Sequence, residues 1–252
     1  MLAKEPTLST LRTILITGAA GRIGSFLTRH LQGRYDFVLA DVRQPEETLG
    51  YPFFTADVAE LDDMRRICRG IDTVVHLAAD PSTQAIWDSL LPRNVVGVYN
   101  IFQAAHEAGC RRVIFASSVN AVSGYPAEVQ VQTSMPVRPP NLYGATKAWG
   151  EAVARFYADQ HDLSAVCLRF GWVIKRDTTF RAASPLDLAL TYEDLARLIV
   201  VSIDAPDEVR FGIFHGLSNN RWNRLDISET RSVLGYAPQD DAFVLAGILP
   251  PR

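Results

Sequence analysis

Thr17-Gly18-Ala19-Ala20-Gly21-Arg22-Ile23-Gly24 is the stretch that decides the fold. It lies between a β-branched apolar run at residues 13–17 and a segment of helical period at 22–32. Glycines at such a junction allow a tight turn, let backbone approach a pyrophosphate, and bring helix close against strand. The helix N-terminus that follows favours negative charge. Spaced glycines alone are a weak signal, so the next run matters. It spans 37–41 and ends at Asp41, 23 residues after Gly18, near the spacing of about 20 expected of an acid that binds the adenosine ribose of a dinucleotide. A carboxylate there repels a 2′-phosphate, so NAD is expected over NADP. Arg22 and Arg43 weigh the other way, because either guanidinium can pair with that phosphate.

Working outward, further apolar runs at 53–56, 73–77, 112–117, 165–170 and 211–215 alternate with helical periods at 61–69, 86–108, 142–161 and 192–204. Such alternation marks βαβ units on a parallel sheet, and runs without polar interruption imply a sheet covered on both faces. The expected fold class is α/β, a doubly wound parallel sheet, in one domain over residues 1–252. Two long stretches without period, 119–141 and 171–190, each follow a strand end, where open α/β sheets bind ligands. Residues 171–190 and 217–252 are expected to form a small substrate-facing subregion.

Composition narrows the partners. The chain has 252 residues, 48% hydrophobic and 21% charged, which excludes disorder, collagen and coiled coil. A net charge of −3 gives no electrostatic footprint for nucleic acid or an anionic membrane. Cys68, Cys110 and Cys167 lack metal-ligand spacing and read as reduced, buried thiols, so no metal is expected. The opening residues lack a leader-like apolar run and no later run reaches membrane-spanning length. A cytoplasmic location is expected.

Chemistry gathers further along. Tyr143-Gly144-Ala145-Thr146-Lys147 sets a phenol and an ammonium four residues apart, on one helix face. The ammonium is expected to lower the phenol pKa from about 10, making Tyr143 a general base, while Ser118 at a strand end reaches the same substrate oxygen. Asp57-Val58, after the third strand, can hold the adenine edge or begin the next helix. Leu77-Ala78-Ala79 gives a small-residue strand end over which a dinucleotide can lie. His76, just before it, reads as a satisfied strand-end histidine.

In Gly18, Gly21, Gly24, Asp41, Asp57, His76 to Ala79, Asn94, Ser118, Tyr143 and Lys147 the chain resembles the extended short-chain dehydrogenase/reductase family over nearly its whole length. The resemblance implies a Rossmann-type fold and bound NAD. It implies Tyr143 as acid/base, Lys147 on the nicotinamide ribose, Ser118 orienting substrate, and Asn94 supporting a water relay to Lys147. Within that family the stretches 94–100, 115–118, 139–144 and 169–171 look most like uronate dehydrogenases, which oxidise the anomeric carbon of a hexuronic acid to a lactone. That likeness implies substrate contacts at Ser118, Val119, Asn120, Trp172 and Arg181, with Arg181 gripping a carboxylate. The chain departs from the group in carrying Val119-Asn120 in place of Asn-His and Trp172 in place of serine. The resemblance also implies a homodimer through helices 86–108 and 142–161. Two other occupations share the pattern: a nucleotide-sugar epimerase, dehydratase or reductase, and a non-enzymatic dinucleotide sensor. The 105 residues after Lys147 and the intact Ser/Tyr/Lys set favour a dehydrogenase of a small sugar or sugar acid.

Overall fold

The structure, a computed structural model, describes residues 11–251; the reading of the opening stretch falls mostly on residues outside that range. The chain runs β1 (Thr13–Thr17), α1 (Arg22–His30), β2 (Asp36–Asp41), β3 (Phe53–Thr55), α2 (Leu61–Ile67), β4 (Thr73–His76), α3 (Trp87–Leu90) and a π-helical segment (Leu91–Val96). It continues through α4 (Gly97–Glu107), β5 (Arg112–Ser118), α5 (Leu142–Gln160), β6 (Ser164–Phe170), β7 (Trp172–Ile174), β8 (Ala189–Thr191), α6 (Tyr192–Ile203), β9 (Phe211–Gly216), α7 (Ser228–Leu234) and α8 (Ala242–Leu245).

Seven strands form one parallel sheet in the order β3-β2-β1-β4-β5-β6-β9. Every residue of β4, β5 and β6 is buried, as a sheet covered on both faces requires. Successive strand residues point to opposite faces. Ile14 and Ile16 accordingly join Leu27 of α1 and Leu195, Leu198 and Ile199 of α6 on one side. Leu15 joins Met64 of α2, Phe102 of α4 and Ala154 of α5 on the other. Cys68, Cys110 and Cys167 are free and buried. Among the described residues no helix is long and apolar enough to cross a membrane.

Two expectations need correction. The helix at 86–108 is three pieces. Pro92 is the second residue of the π-helical segment, where its missing N–H and its ring forbid an uninterrupted α-helical ladder. The stretch 171–190 is not structureless: Trp172, Val173 and Ile174 pair in parallel with Ala189, Leu190 and Thr191. Three-residue strands are too short to show a period.

Candidate active site

The strand order turns at the β1/β4 boundary, and a cleft of about 1010 Å³ opens there across the carboxyl ends of the sheet, the place where such sheets hold ligands. Gly18 has φ +72°, and a Cβ on it would lie 2.8 Å from Ala78 N; no other residue type fits that approach. A Cβ on Gly24 would stand 2.4 Å from the Gly18 carbonyl oxygen. No side chain caps α1 and its first turn carries no acid, so its leading N–H groups are left for ligand oxygens. Asp41 takes N–H bonds from Ala20 on Oδ2 (3.0 Å) and from Arg43 on Oδ1 (3.1 Å). Each oxygen keeps a lone pair for a ribose hydroxyl. A turn stripped of Cβ, uncapped helix N–H groups and a held carboxylate fit a dinucleotide.

Gly18, Gly21, Arg22, Ile23, Gly24, Asp41, Asp57, Val58, Leu77, Ala78 and Ala79 line this cleft; Ala20 does not. Its N–H is spent on Asp41. Asp57 does not cap α2, whose N-cap is Glu60; its Oδ1 instead accepts from Ala59 N in a tight turn (3.0 Å). Asn100 was not foreseen as a site residue. Buried on α4, it donates to the carbonyls of Val58 and Ala59, each at 2.9 Å, and fixes that turn.

At the other end Ser118, Tyr143 and Lys147 meet in the cleft wall. Lys147 is only 4% exposed. Its Nζ donates to the Ala116 carbonyl at 2.8 Å and stands 5.5 Å from the centre of the Tyr143 ring. Burial lowers the ammonium to about 8, against an opposing pull from Glu151. The phenol departs from expectation: burial holds its pKa above the ordinary value, Asp80 adds to the rise, and the opposing influence is a hydrogen bond from Ser118 rather than the ammonium. Loss of water around the phenolate outweighs a cation already committed to a carbonyl. Gly144 permits the approach, because a Cβ there would fall 2.1 Å from the Asn120 carbonyl oxygen.

Asn94 lies outside the cleft wall, buried in the π-helical segment. Its Oδ1 accepts from Asp80 N (2.8 Å), and its Nδ2 donates to Asp80 O (3.0 Å) and Thr146 Oγ1 (3.2 Å). The amide thus clamps the loop after β4 to the catalytic helix, with both of its N–H donors used. His76 Nδ1 pairs with Thr17 Oγ1 at 2.8 Å, but Nε2 is buried with no hydrogen-bond partner among the described residues, so the reading of a satisfied histidine holds for one nitrogen. Burial pushes it down to about 3, which keeps it uncharged beneath Lys147.

Val119, Asn120 and Trp172 line the far end with Pro185 and Leu188. Trp172 also packs edge-on against Phe180, with centroids 6.2 Å apart. Arg181 is exposed and outside the cleft wall; among the described residues its backbone alone is held, its N–H donating to Ser184 Oγ and its carbonyl accepting from Ser184 N, each at 2.9 Å. Asp80 and Arg93, 4.0 Å apart, stand in the wall instead. Neither belongs to a motif that draws notice in sequence.

A crevice built for a dinucleotide, closed at one end by Ser, Tyr and Lys, defines a nicotinamide-dependent oxidoreductase of the short-chain type. The chain belongs to the NAD dependent epimerase/dehydratase family, which matches residues 14–175, and its cofactor is NAD. It is 33% identical to an NAD-dependent glucose-6-phosphate dehydrogenase of Haloferax volcanii over 247 residues, covering 91% of this chain and 94% of that one. It is 30% identical to a uronate dehydrogenase of Pseudomonas putida over 242 residues, covering 94% and 87%. Among solved structures, an Agrobacterium tumefaciens uronate dehydrogenase mutant complexed with NAD superposes with TM-score 0.84 at 28% identity, covering 96% of this chain and 91% of that one.

Proposed function

We propose that the protein is an NAD-dependent dehydrogenase that oxidises a small sugar or sugar acid at its anomeric carbon, hexuronate-like substrates among them, with a lactone as product. The observation that carries this reading is the meeting of Ser118, Tyr143 and Lys147 in the wall of the dinucleotide cleft. Relatives named for glucose 6-phosphate and uronate support the substrate class. Bound NAD supplies the hydride acceptor, and its positively charged nicotinamide favours the ionised phenol.

The chain's own part is proton handling and orientation. Tyr143 Oη takes the proton of the anomeric hydroxyl. Ser118 Oγ orients that hydroxyl, and Lys147 keeps a positive charge under the phenol while holding the nicotinamide ribose. Asn94 keeps the Asp80 loop seated on α5. Gly18, Gly21 to Gly24, Asp41, Asp57, Val58 and Leu77 to Ala79 hold the dinucleotide, with Ala20 bracing Asp41. Residues 171–190 and 217–252 form the substrate-facing part; Trp172 of that part bounds the sugar together with Val119 and Asn120, which follow β5. Arg181 takes an acidic substituent; its guanidinium makes no ion pair among the described residues.

The protein works in the cytoplasm as a homodimer. Buried free thiols support the first. Exposed Trp87, Tyr99, Trp149 and Phe156 on the helices before and after β5 support the second. A screen of aldoses, hexuronates and sugar phosphates with NAD, read by NADH absorbance, tests the function. Tyr143→Phe, which removes only the hydroxyl, is expected to reduce turnover by two orders of magnitude or more with NAD affinity kept. No NADH from any of these sugars, or near-full activity in the variant, overturns the reading.

A further inference from the structure

The hydrogen bonds around Ser118 have a direction, and it is set at the start of α5. A backbone N–H can only donate. Gly144 N donates to Asn141 Oδ1 at 2.8 Å, so the oxygen of that amide faces the helix and its nitrogen faces away. Asn141 Nδ2 then donates to Asn120 Oδ1 at 3.1 Å. Asn120 is oriented in turn, and its Nδ2 donates to Ser118 Oγ at 3.2 Å. The Asn120 backbone N–H donates to the same oxygen at 3.1 Å. A serine hydroxyl offers two lone pairs and one proton. Both lone pairs are filled from behind, so only the proton is left for the cleft.

We propose that Asn141 and Asn120 are positioning residues that hold Ser118 as an obligate hydrogen-bond donor toward the Tyr143 phenol and the substrate oxygen beside it. A donor favours an anionic oxygen, either phenolate or a hydroxyl losing its proton, whereas an accepting Ser118 favours the neutral phenol. The inference rests on the reading of Tyr143 as the base. Its root is a helix cap, so the polarity of the reacting end is written in the same amide that starts the catalytic helix. Were Asn141 only a cap and Asn120 only the close of a turn, the nature of their outward atoms would not matter.

Asn141→Asp separates the two. Aspartate caps a helix as well as asparagine does, but it has no side-chain N–H for Asn120. The Asn120 amide is expected to turn over, give its N–H to the introduced carboxylate and present its oxygen to Ser118, which then accepts no side-chain bond and turns its proton away from the cleft. The readout is the ring carbon signal of Tyr143 in ¹³C-tyrosine-labelled protein, assigned with Tyr143→Phe and followed to pH 10 without sugar. In N141D the phenolate fraction at pH 10 is expected to fall at least about threefold, about half a pH unit in midpoint, with the melting temperature kept. That carboxylate also repels phenolate through space, so the comparison is repeated in Ser118→Ala. There N141D is expected to change the fraction less than half as much on a logarithmic scale. No fall beside Ser118, or a fall as large in S118A, overturns the proposal. Asn120→Asp, which cannot donate from its side chain to Ser118, carries the same test should N141D not fold. Because no sugar is used, an inactive substrate screen and a failed relay are separate outcomes.

Discussion

Lys147 is placed where a lysine is least comfortable, and the structure gives the size of the discomfort. The ammonium is buried under the cleft, its pKa lowered from 10.5 to about 8. In the unfolded chain the side chain regains its ordinary value. Between those values the unfolded state holds more protons than the folded one, so stability rises with pH across that window. The penalty is present in full below about pH 8 and relieved as pH climbs to 10.5. At 1.36 kcal/mol per pH unit, the difference from 10.5 to about 8 amounts to about 3 kcal/mol. Lys147→Met keeps an unbranched chain of similar length and removes the charge. Any constant loss, such as the bond to the Ala116 carbonyl, shifts the variant equally at every pH. The expectation therefore concerns slope: from pH 7 to pH 10.5 the wild type gains about 3 kcal/mol on K147M. In a chain of this size that is a change of roughly 6 to 12 °C in the gap between their melting temperatures. Urea or thermal unfolding of both proteins at the two pH values measures it. Parallel stability curves would refute the reasoning, by showing that water reaches the ammonium.

Three further expectations follow from single positions. Asp41→Ala removes the charge that opposes a 2′-phosphate, so a preference for NAD over NADP should shrink by roughly tenfold, about 1.4 kcal/mol, in cofactor titrations; tighter NADP binding by the unmodified protein contradicts the assignment. Gly144→Ala drives a methyl to within 2.1 Å of the Asn120 carbonyl oxygen, and the forced retreat of α5 should lower stability by about 1–3 kcal/mol and turnover by roughly a hundredfold; an unshifted melting curve with full activity refutes it. Arg181→Ala should raise KM for an acidic sugar by about ten- to a hundredfold, the worth of a hydrogen bond to a charged group, and leave a neutral aldose unchanged. Equal losses for both sugars remove Arg181 from the site.

Strands were the easiest elements to see in the sequence, because β1, β4, β5 and β6 are buried on both faces and carry unbroken apolar runs. The glycine loop was legible for the same kind of reason: Gly18 and Gly24 each answer a steric demand made by neighbours close by in sequence or at the next strand end. What escaped depends on partners remote in sequence. The β7/β8 pair is made by residues 17 apart with three residues on each side, and Asp80, a wall residue, has its backbone clamped by Asn94 across a separation of 14 residues. Asn120 read as a substrate contact, and it lines the cleft; the further commitment of its amide to Ser118 and Asn141 was not legible, because no local pattern announces a bond spanning 21 residues.

The catalytic helix carries the stripe that Tyr143 and Lys147 begin one turn further. Tyr143, Lys147 and Glu151 follow one another at four-residue steps, hence along one face, and charged side chains are mostly exposed to water. In the fold the stripe points inward and grows drier along its length, from a Tyr143 in the cleft wall to Lys147 and Glu151, both almost wholly buried. Each group is made tolerable by the next. Glu151 pulls the Lys147 pKa back up, and Arg169 grips Glu151 with two bonds of 2.8 Å. Ser117 adds a third at 2.6 Å, and Arg169 itself contacts His215 on β9 at 3.4 Å. A buried ion pair of this kind contributes little net stability, but removing one member strands the other and costs about 3–5 kcal/mol. The pair therefore acts less as a stabiliser than as a constraint: Glu151, which favours the charged lysine beneath the phenol, is held in place one turn further on by the guanidinium that β6 supplies.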